Sequence, residues 1–199
     1  ELAAVEDREI AASVRRQEET GLQAVTDGEF RRAFWHFDFL ENLDGVQGFE
    51  SGEGIQFKGV TTKSHSIRVM GRIGFSASHP HLAHFRYLRN VARATPKMTI
   101  PSPSMLHYRG GRKAVDAAAY IRMEDYYADL GKAYADAVKA FYDAGCRYLQ
   151  LDDTSLSYFC DPEQRQMLKD RGDDPDALIG TYRDIINAAT KNRPKDMVI

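Results

Sequence analysis

The chain has 199 residues, of which 43% are hydrophobic and 28% are charged, so it can form one packed domain and is not expected to be intrinsically disordered. Its 27 basic and 29 acidic residues give a formal net charge of -2, without the basic excess that nucleic-acid binding requires. No apolar run approaches the roughly 20 residues that cross a membrane, and two cysteines do not make a disulfide framework, so we expect a cytoplasmic protein with reduced thiols.

The chain begins with a predicted helix and a predicted strand. Ile10 and Val14 lie four residues apart among charged residues, which predicts an amphipathic helix from Val5 to Leu22. Residues 23–26 form a short apolar run that predicts a buried strand, and the polar tripeptide Asp27-Gly28-Glu29 follows it. A strand therefore ends in a polar loop.

Residues 45–75 are expected to leave the main fold as an excursion. The segment is rich in glycine, and β-branched and aromatic residues alternate with polar ones at Ile55, Phe57, Val60, Ile67, Val69 and Ile73. This pattern predicts a β-hairpin or a small antiparallel sheet.

Two further units of helix, strand and polar loop follow the excursion. In the first, Leu82, Phe85 and Leu88 repeat at a spacing of three residues, which predicts a helix that ends before Pro96. In the first unit the predicted helix is 80–95, the strand 97–100 and the loop 101–104. In the second unit the predicted helix is 123–144, the strand 146–151 and the loop 152–155. A last helix is predicted at 176–190, before a short strand at 197–199.

The regular alternation of helix, strand and polar loop predicts an α/β fold with a parallel sheet. Polar loops at the carboxyl ends of the strands are typical of a (β/α)8 barrel of the TIM type, whereas the alternative, a doubly wound dinucleotide-binding sheet, lacks its GxGxxG motif here. Residue 1 is Glu and residues 197–199 resemble a strand that has just begun. We therefore expect residues 1–199 to form a single partial barrel domain, truncated at both ends.

Asp152 is the first candidate for a functional carboxylate. Tyr148, Gln150 and Asp152 share one face of their predicted strand, while two leucines share the other face and are expected to meet the helices. Asp152 then points to the interior, where a carboxylate is normally paired or used. Asp152 or Asp153 could instead cap the following helix, and capping is favoured for Asp153.

Glu29, His107 and Tyr108 are the other candidates that the pattern indicates. Glu29 follows the first strand, and Arg31 or Arg32 could orient or neutralise it, although a glycine turn with a surface ion pair is the alternative. His107 could bind a ligand or be a packed, hydrogen-bonded residue. Tyr108 could lie flat under a ring.

Three segments resemble the cobalamin-independent methionine synthase family, and the likeness is closest to its short, single-barrel bacterial members, which are similar to the family's C-terminal catalytic domain. They are TDGEFRRAFWHFDF at 26–39, IPSPSMLHYRG at 100–110 and YLQLDDTSLSYFCD at 148–161. The resemblance implies a (β/α)8 barrel in which zinc binds an amino-acid thiol, typically homocysteine. Its sulfur takes a methyl group from a folate-type donor to make methionine, without cobalamin.

The resemblance also implies roles for individual residues. Glu29 matches the glutamate that contacts the amino-acid substrate, and Asp152 matches the aspartate that holds the substrate ammonium. Tyr108 falls where the synthases have a tryptophan against the pterin, Ser104 falls at a nearby hydroxyl position, and His107 at an adjacent polar one. The implied partners are a small amino-acid thiol and a methyl donor.

The same resemblance assigns no zinc ligand to this chain. The family's ligands begin with a His-x-Cys motif that is expected soon after a strand such as residues 197–199. We therefore expect zinc and methyltransferase activity of the complete protein, and no activity of this chain alone.

Two other interpretations stay open. Glu29 and Asp152 could be the acid/base pair of a lyase or hydrolase that acts on a sugar or tetrapyrrole in the same type of barrel. The chain could instead be a non-catalytic fragment whose missing strands come from another copy, because exposed sheet edges favour such pairing and would give a homo-oligomer.

Overall fold

Helices and strands are both present in the computed structural model, which describes residues 1–52, 56–57, 59–61 and 64–199. In chain order the elements are α1 (Leu2–Glu19), β1 (Ala24–Val25), α2 (Phe37–Leu40), β2 (Asp44–Phe49), β3 (Gln56–Phe57), β4 (Val60–Thr61), β5 (Ser66–Gly74), α3 (Pro80–Val91), β6 (Thr95–Pro101), α4 (Met105–Tyr108), a 3-10 helix (Gly111–Ala114), α5 (Met123–Asp143), β7 (Tyr148–Asp152), α6 (Ser155–Tyr158), α7 (Pro162–Asp170) and α8 (Pro175–Thr190).

The strands β1, β6 and β7 form a parallel sheet in the order β1-β6-β7. Pro101 at the end of β6 is in register with Asp152 at the end of β7, and beyond β7 Val198 forms a parallel bridge with Tyr148. The predicted α/β fold with a parallel sheet is confirmed. The described residues place three strands in this sheet, whereas a (β/α)8 barrel has eight, so the barrel itself stays a prediction.

The two faces of β6 and β7 differ in polarity. Met98 is 1% exposed and Leu149 is 0% exposed, and both belong to the main hydrophobic core. Thr99, Gln150 and Asp152 alternate with these core residues and lie on the opposite face. On β7, Leu149 thus lies in the core, Leu151 is partly buried and packs against it, and the polar residues lie on the other face, as expected.

Helices α5 and α8 pack against each other in the main core. They meet closely at Gly131, where an added Cβ would lie 3.2 Å from the Cβ of Ala188. Tyr134 ties α5 to the carboxyl end of β6, because its hydroxyl donates to the Pro101 carbonyl at 2.8 Å. Within the described part of the chain, no helix combines the length and apolarity needed to span a membrane.

The antiparallel pairing expected between residues 45 and 75 is confirmed for the described part of that range, and residues 53–55, 58 and 62–63 lie outside the described residues. Strands β2 and β5 pair antiparallel, as do β3 and β4. Gly45 occupies an irregularity of the β2–β5 ladder at φ +77°, and an added Cβ would lie 2.5 Å from the Arg72 carbonyl oxygen, so a larger residue does not fit there. Ile67, Val69 and Ile73 are buried as their alternation predicts.

Helix α7 is absent from the helices predicted above. Asp161 accepts a hydrogen bond from the Glu163 amide at 2.8 Å, and Pro162 occupies the first turn. Helix α8 begins in the same way, with Asp174 as the cap before Pro175. An aspartate followed by proline is a recognised start signal for a helix, so the sequence carried the information for α7.

Candidate functional site

Polar loops meet at one edge of the parallel sheet, because the carboxyl ends of parallel strands lie at the same edge. We refer to residues 26–32 after β1, 101–104 after β6 and 152–155 after β7 as the carboxyl edge. The last two loops are joined directly, since the Ser102 amide donates to the Asp152 carbonyl at 2.8 Å.

Glu29 lies on the carboxyl edge in a constrained backbone conformation. Its φ is +59°, and among the described non-glycine residues it alone has a positive φ. The preceding Gly28 is also left-handed, at φ +64°, and the Glu29 amide donates to Asp27 Oδ1 at 3.0 Å. A left-handed residue with a Cβ costs roughly 1–2 kcal/mol, so surrounding contacts must stabilise this backbone conformation of Glu29.

The carboxylate of Glu29 is held through one of its two oxygens. Thr99 Oγ1 donates to Oε1 at 2.9 Å, and Arg32 Nη1 donates to the same oxygen at 3.2 Å. In the ranges that the structure covers, Oε2 has no hydrogen-bond partner, and the side chain is 35% exposed. The carboxylate is thus fixed in direction while Oε2 is available to a ligand.

Asp152 lies on the same face and the same edge as Glu29. Thr99 is in register with Gln150 on the neighbouring strand, and Gln150 Nε2 donates to Asp152 Oδ1 at 2.5 Å. Neighbouring strands are about 4.8 Å apart, so Glu29, Thr99, Gln150 and Asp152 form one polar row. No arginine or lysine described here forms an ion pair with Asp152, in contrast to Glu29.

Asp153 accepts a hydrogen bond from the first turn of α6, although the N-cap residue of that helix is Thr154. Ser104 Oγ donates to its Oδ2 at 2.9 Å, and its Oδ1 accepts hydrogen bonds from Ser155 Oγ at 2.7 Å and from the Leu156 amide of α6 at 3.1 Å. Burial acts to raise the pKa of Asp153, but these hydrogen bonds and one from Ser102 hold it below its ordinary value. The predicted site residue Ser104 is fully buried in this cluster.

His107 lies between α5 and α8, away from the polar row. It is 1% exposed, its Nδ1 is 2.8 Å from the Tyr182 hydroxyl, and its Nε2 is 3.2 Å from the Tyr127 hydroxyl. Burial lowers the pKa of His107 to about 4, so the ring is neutral at pH 7. This geometry is that of a packed, hydrogen-bonded histidine, and direct ligand binding by His107 stays a prediction.

Tyr108 follows β6 on the carboxyl-edge side but is 2% exposed. Its ring stacks on Tyr158 with centroids 5.1 Å apart, and its hydroxyl donates to Gln164 Oε1 at 3.2 Å. Burial raises the pKa of the Tyr108 hydroxyl. Tyr108 and Tyr158, with Arg109 and Met167, line a surface pocket beside the loops, so a ligand there would also meet Tyr158.

Zinc, which the family resemblance implies, does not fit the residues described. No group of three or more histidine, cysteine, aspartate or glutamate side chains is placed to hold a metal ion within these ranges. Cys146 is buried and burial raises the pKa of its thiol to about 11, which keeps it protonated, and Cys160 is exposed.

Thr99 is the residue of the polar row that the sequence analysis did not single out. The alternation of β6 carried a signal for it, since Thr99 has apolar neighbours on both sides and falls on the face opposite to theirs. The structure also separates the two candidate arginines. Arg32 contacts Glu29, whereas Arg31 pairs with Glu6 and Asp7 of α1.

The chain matches no family model but is similar to two uncharacterized proteins of Bacillus subtilis. YxjH is 50% identical and YxjG is 47% identical, each over 200 residues and the whole of this chain. The chain covers 52% of each, so it spans about half the length of the curated relatives it matches.

Two solved structures share the fold. A vitamin-B12-independent methionine synthase-like protein from Listeria monocytogenes is 45% identical, with a TM-score of 0.81 over 100% of this chain and 54% of that one. A B12-independent methionine synthase from Shewanella sp. W3-18-1, in complex with selenomethionine, is 17% identical, with a TM-score of 0.63 over 94% of this chain and 48% of that one, which shows the fold alone. The structural neighbours of this chain are therefore cobalamin-independent methionine synthase-like proteins, which supports the family resemblance.

Proposed function

We propose that this chain provides the amino-acid-binding part of a methyltransferase of the cobalamin-independent methionine synthase type. In the complete protein, the sulfur of an amino-acid thiol such as homocysteine takes a methyl group from a folate-type donor, which gives methionine. The new carbon–sulfur bond forms as the bond between the methyl carbon and the donor nitrogen breaks, and that nitrogen gains a proton to replace the one that the thiol has lost. The similarity to the Listeria protein over the whole chain supports this proposal.

The polar row is the observation that carries the proposal. Glu29 and Asp152 present two carboxylates on one face, and the only guanidinium described there is bound to Glu29. Asp152 therefore has negative charge available for the ammonium group of an amino acid. Hydrogen bonds between charged partners contribute about 1.5–3 kcal/mol, which is enough to select an amino acid over its uncharged analogue.

Glu29 is proposed as the second contact to the amino-acid substrate. Its Oε1 is occupied by Thr99 and Arg32, so Oε2 is the atom that would accept from the substrate. A carboxylate that is already fixed loses little freedom on binding and orients the substrate for attack. The Shewanella protein, which resembles this chain in fold, is in complex with an amino acid, selenomethionine.

The aromatic pair after β6 and β7 is proposed to support the methyl donor. The ring of Tyr108 stacks on the ring of Tyr158, and Tyr158 is the less buried of the two. In this proposal Ser104 and His107 act on the donor side by holding α4, because Ser104 precedes its first turn and His107 anchors it to α5 and α8. In this proposal the zinc ligands come from other residues of the complete protein.

Calorimetric titration of the complete protein with L-homocysteine tests the proposal. We expect Asp152→Asn and Glu29→Gln each to weaken the affinity about tenfold or more, which corresponds to about 1.4 kcal/mol. Asp136→Asn is the matched control, since Asp136 is exposed on α5 and pairs only with Lys132 among the described residues. Unchanged affinity in both site variants would remove Glu29 and Asp152 from the binding site.

A further inference from the structure

Arg32 is a buried cation at the carboxyl edge. Its side chain is 2% exposed, and its guanidinium donates to the Thr99 carbonyl at 2.7 Å, to the Trp35 carbonyl at 3.4 Å and to Glu29 Oε1 at 3.2 Å. It thus connects the loop after β1 to the middle strand of the sheet. A buried charge needs a partner of opposite sign, and Glu29 is the only carboxylate described that pairs with Arg32.

Arg32 and Thr99 both bind the same oxygen of Glu29. This arrangement holds the carboxylate from one side and leaves Oε2 free of hydrogen bonds in the described part of the chain. The left-handed backbone sets where the Glu29 side chain leaves the loop, and these two contacts set the direction of its carboxylate. Loss of Arg32 would therefore free the carboxylate to rotate.

The neighbouring Arg31 provides a contrast. It pairs with Glu6 and Asp7 of α1, and its guanidinium lies 5.1 Å from the centre of the Tyr87 ring. Arg31 thus holds α1 on the loop, and its ion pairs are with α1 and not with Glu29. The two adjacent arginines have separate tasks in the same loop.

We infer that Arg32 is a positioning residue that fixes Glu29 against Thr99, so that Glu29 Oε2 faces the amino-acid substrate. The inference rests on the proposed function and adds to it the residue that orients the substrate contact. Lysine cannot replace Arg32, because one ammonium cannot donate in the fork that reaches Glu29 and two carbonyls at once.

The test measures L-homocysteine affinity of the complete protein with Arg32→Lys and Arg32→Gln, with Arg31→Lys as the control. We expect each Arg32 variant to lose about tenfold or more in affinity and the control to stay within about twofold. In a Glu29→Gln background, Arg32→Lys should change the affinity by less than about twofold, because Arg32 acts only through Glu29. Equal effects in both backgrounds would overturn the inference.

A second pair of measurements separates this inference from the proposed function. Millimolar methylguanidinium should restore part of the affinity of Arg32→Ala, which a general loss of folding would not allow. A crystal structure of Arg32→Lys should show the Glu29 carboxylate displaced from Thr99. If the carboxylate keeps its 2.9 Å contact, Arg32 is not a positioning residue. If instead the wild-type protein binds no homocysteine, the proposed function fails and the crystal structure still decides the role of Arg32.

Discussion

Thr99 Oγ1 donates a hydrogen bond of 2.9 Å to Glu29 Oε1, across a sequence separation of 70 residues. The bond joins the loop after β1 to the middle strand of the parallel sheet, and Thr99 is in register with Gln150, the donor to Asp152. Two carboxylates on different loops are thereby connected through side chains of adjacent strands.

The change Thr99→Val tests this connection, because valine keeps the branched shape and removes the hydroxyl. Loss of one hydrogen bond should lower the free energy of unfolding by about 1 kcal/mol. The freed Glu29 should lower L-homocysteine affinity of the complete protein by roughly fivefold. Thr95→Val is the control, since Thr95 is exposed at the start of β6. Equal calorimetric affinities for the wild type and Thr99→Val would contradict the role of Thr99.

The orientation of Asp152 could be predicted because it depends on local alternation. Leucines on both sides of Gln150 must enter the core, and a strand has a period of two, so the polar residues had only one remaining face. The long helices followed from the same kind of reasoning, since Leu130 and Tyr134 lie one turn apart on α5 and both are buried.

The contacts of Glu29 could not be predicted, because they depend on how distant segments come together. Arg31 and Arg32 are identical in type and adjacent, and only the packed positions of α1 and β6 decide which one meets Glu29. The same holds for His107, because its partners Tyr127 and Tyr182 come from two other helices and lie 20 and 75 residues further along the chain.

The adjacent pair Asp152 and Asp153 should separate binding from stability. Asp153→Asn places an amide against donors from Ser104 and Leu156, so we expect a loss of about 2–3 kcal/mol in the free energy of unfolding by urea. Asp152→Asn should change stability by no more than about 0.5 kcal/mol while weakening homocysteine binding. A similar stability loss in both variants would show that the two carboxylates are not distinct in role.

The lowered pKa of Asp153 gives this pair a pH dependence. Its folded pKa lies below the unfolded value of 3.8, so its contribution to stability is fully present above that value. The contribution is lost as the pH falls through the folded pKa. Urea midpoints measured between pH 5 and pH 3 should therefore fall less steeply for Asp153→Asn than for the wild type.

Tyr108 should respond differently to loss of its hydroxyl and loss of its ring. Tyr108→Phe removes the hydrogen bond to Gln164 and should cost about 1 kcal/mol, whereas Tyr108→Ala removes a buried ring and should cost about 3–5 kcal/mol. Because Tyr108 lies on the donor side in our proposal, homocysteine affinity of the Tyr108→Phe protein should equal that of the wild type. A tenfold loss in that variant would place Tyr108 on the amino-acid side instead.

Buried neutral histidines should make the fold sensitive to mild acid. The pKa values of His36, His79 and His107 are each lowered by burial to about 4, and that of His81 to about 2, from an ordinary value of 6.5. The unfolded chain therefore binds protons before the folded chain does, so stability falls as the pH drops from 6.5 towards 4. At pH 5, His107 alone should account for about 2 kcal/mol of this loss.

The variant His107→Phe isolates that contribution. It leaves the hydroxyls of Tyr127 and Tyr182 without their histidine partner, so at pH 7 we expect the variant to be less stable than the wild type by about 2 kcal/mol. The variant also lacks one titrating group. Between pH 7 and pH 5 its free energy of unfolding should therefore fall by about 2 kcal/mol less than that of the wild type. The two unfolding free energies should thus converge near pH 5 in urea titrations. Parallel curves would mean that His107 keeps an ordinary pKa in the fold and is open to solvent or to a ligand.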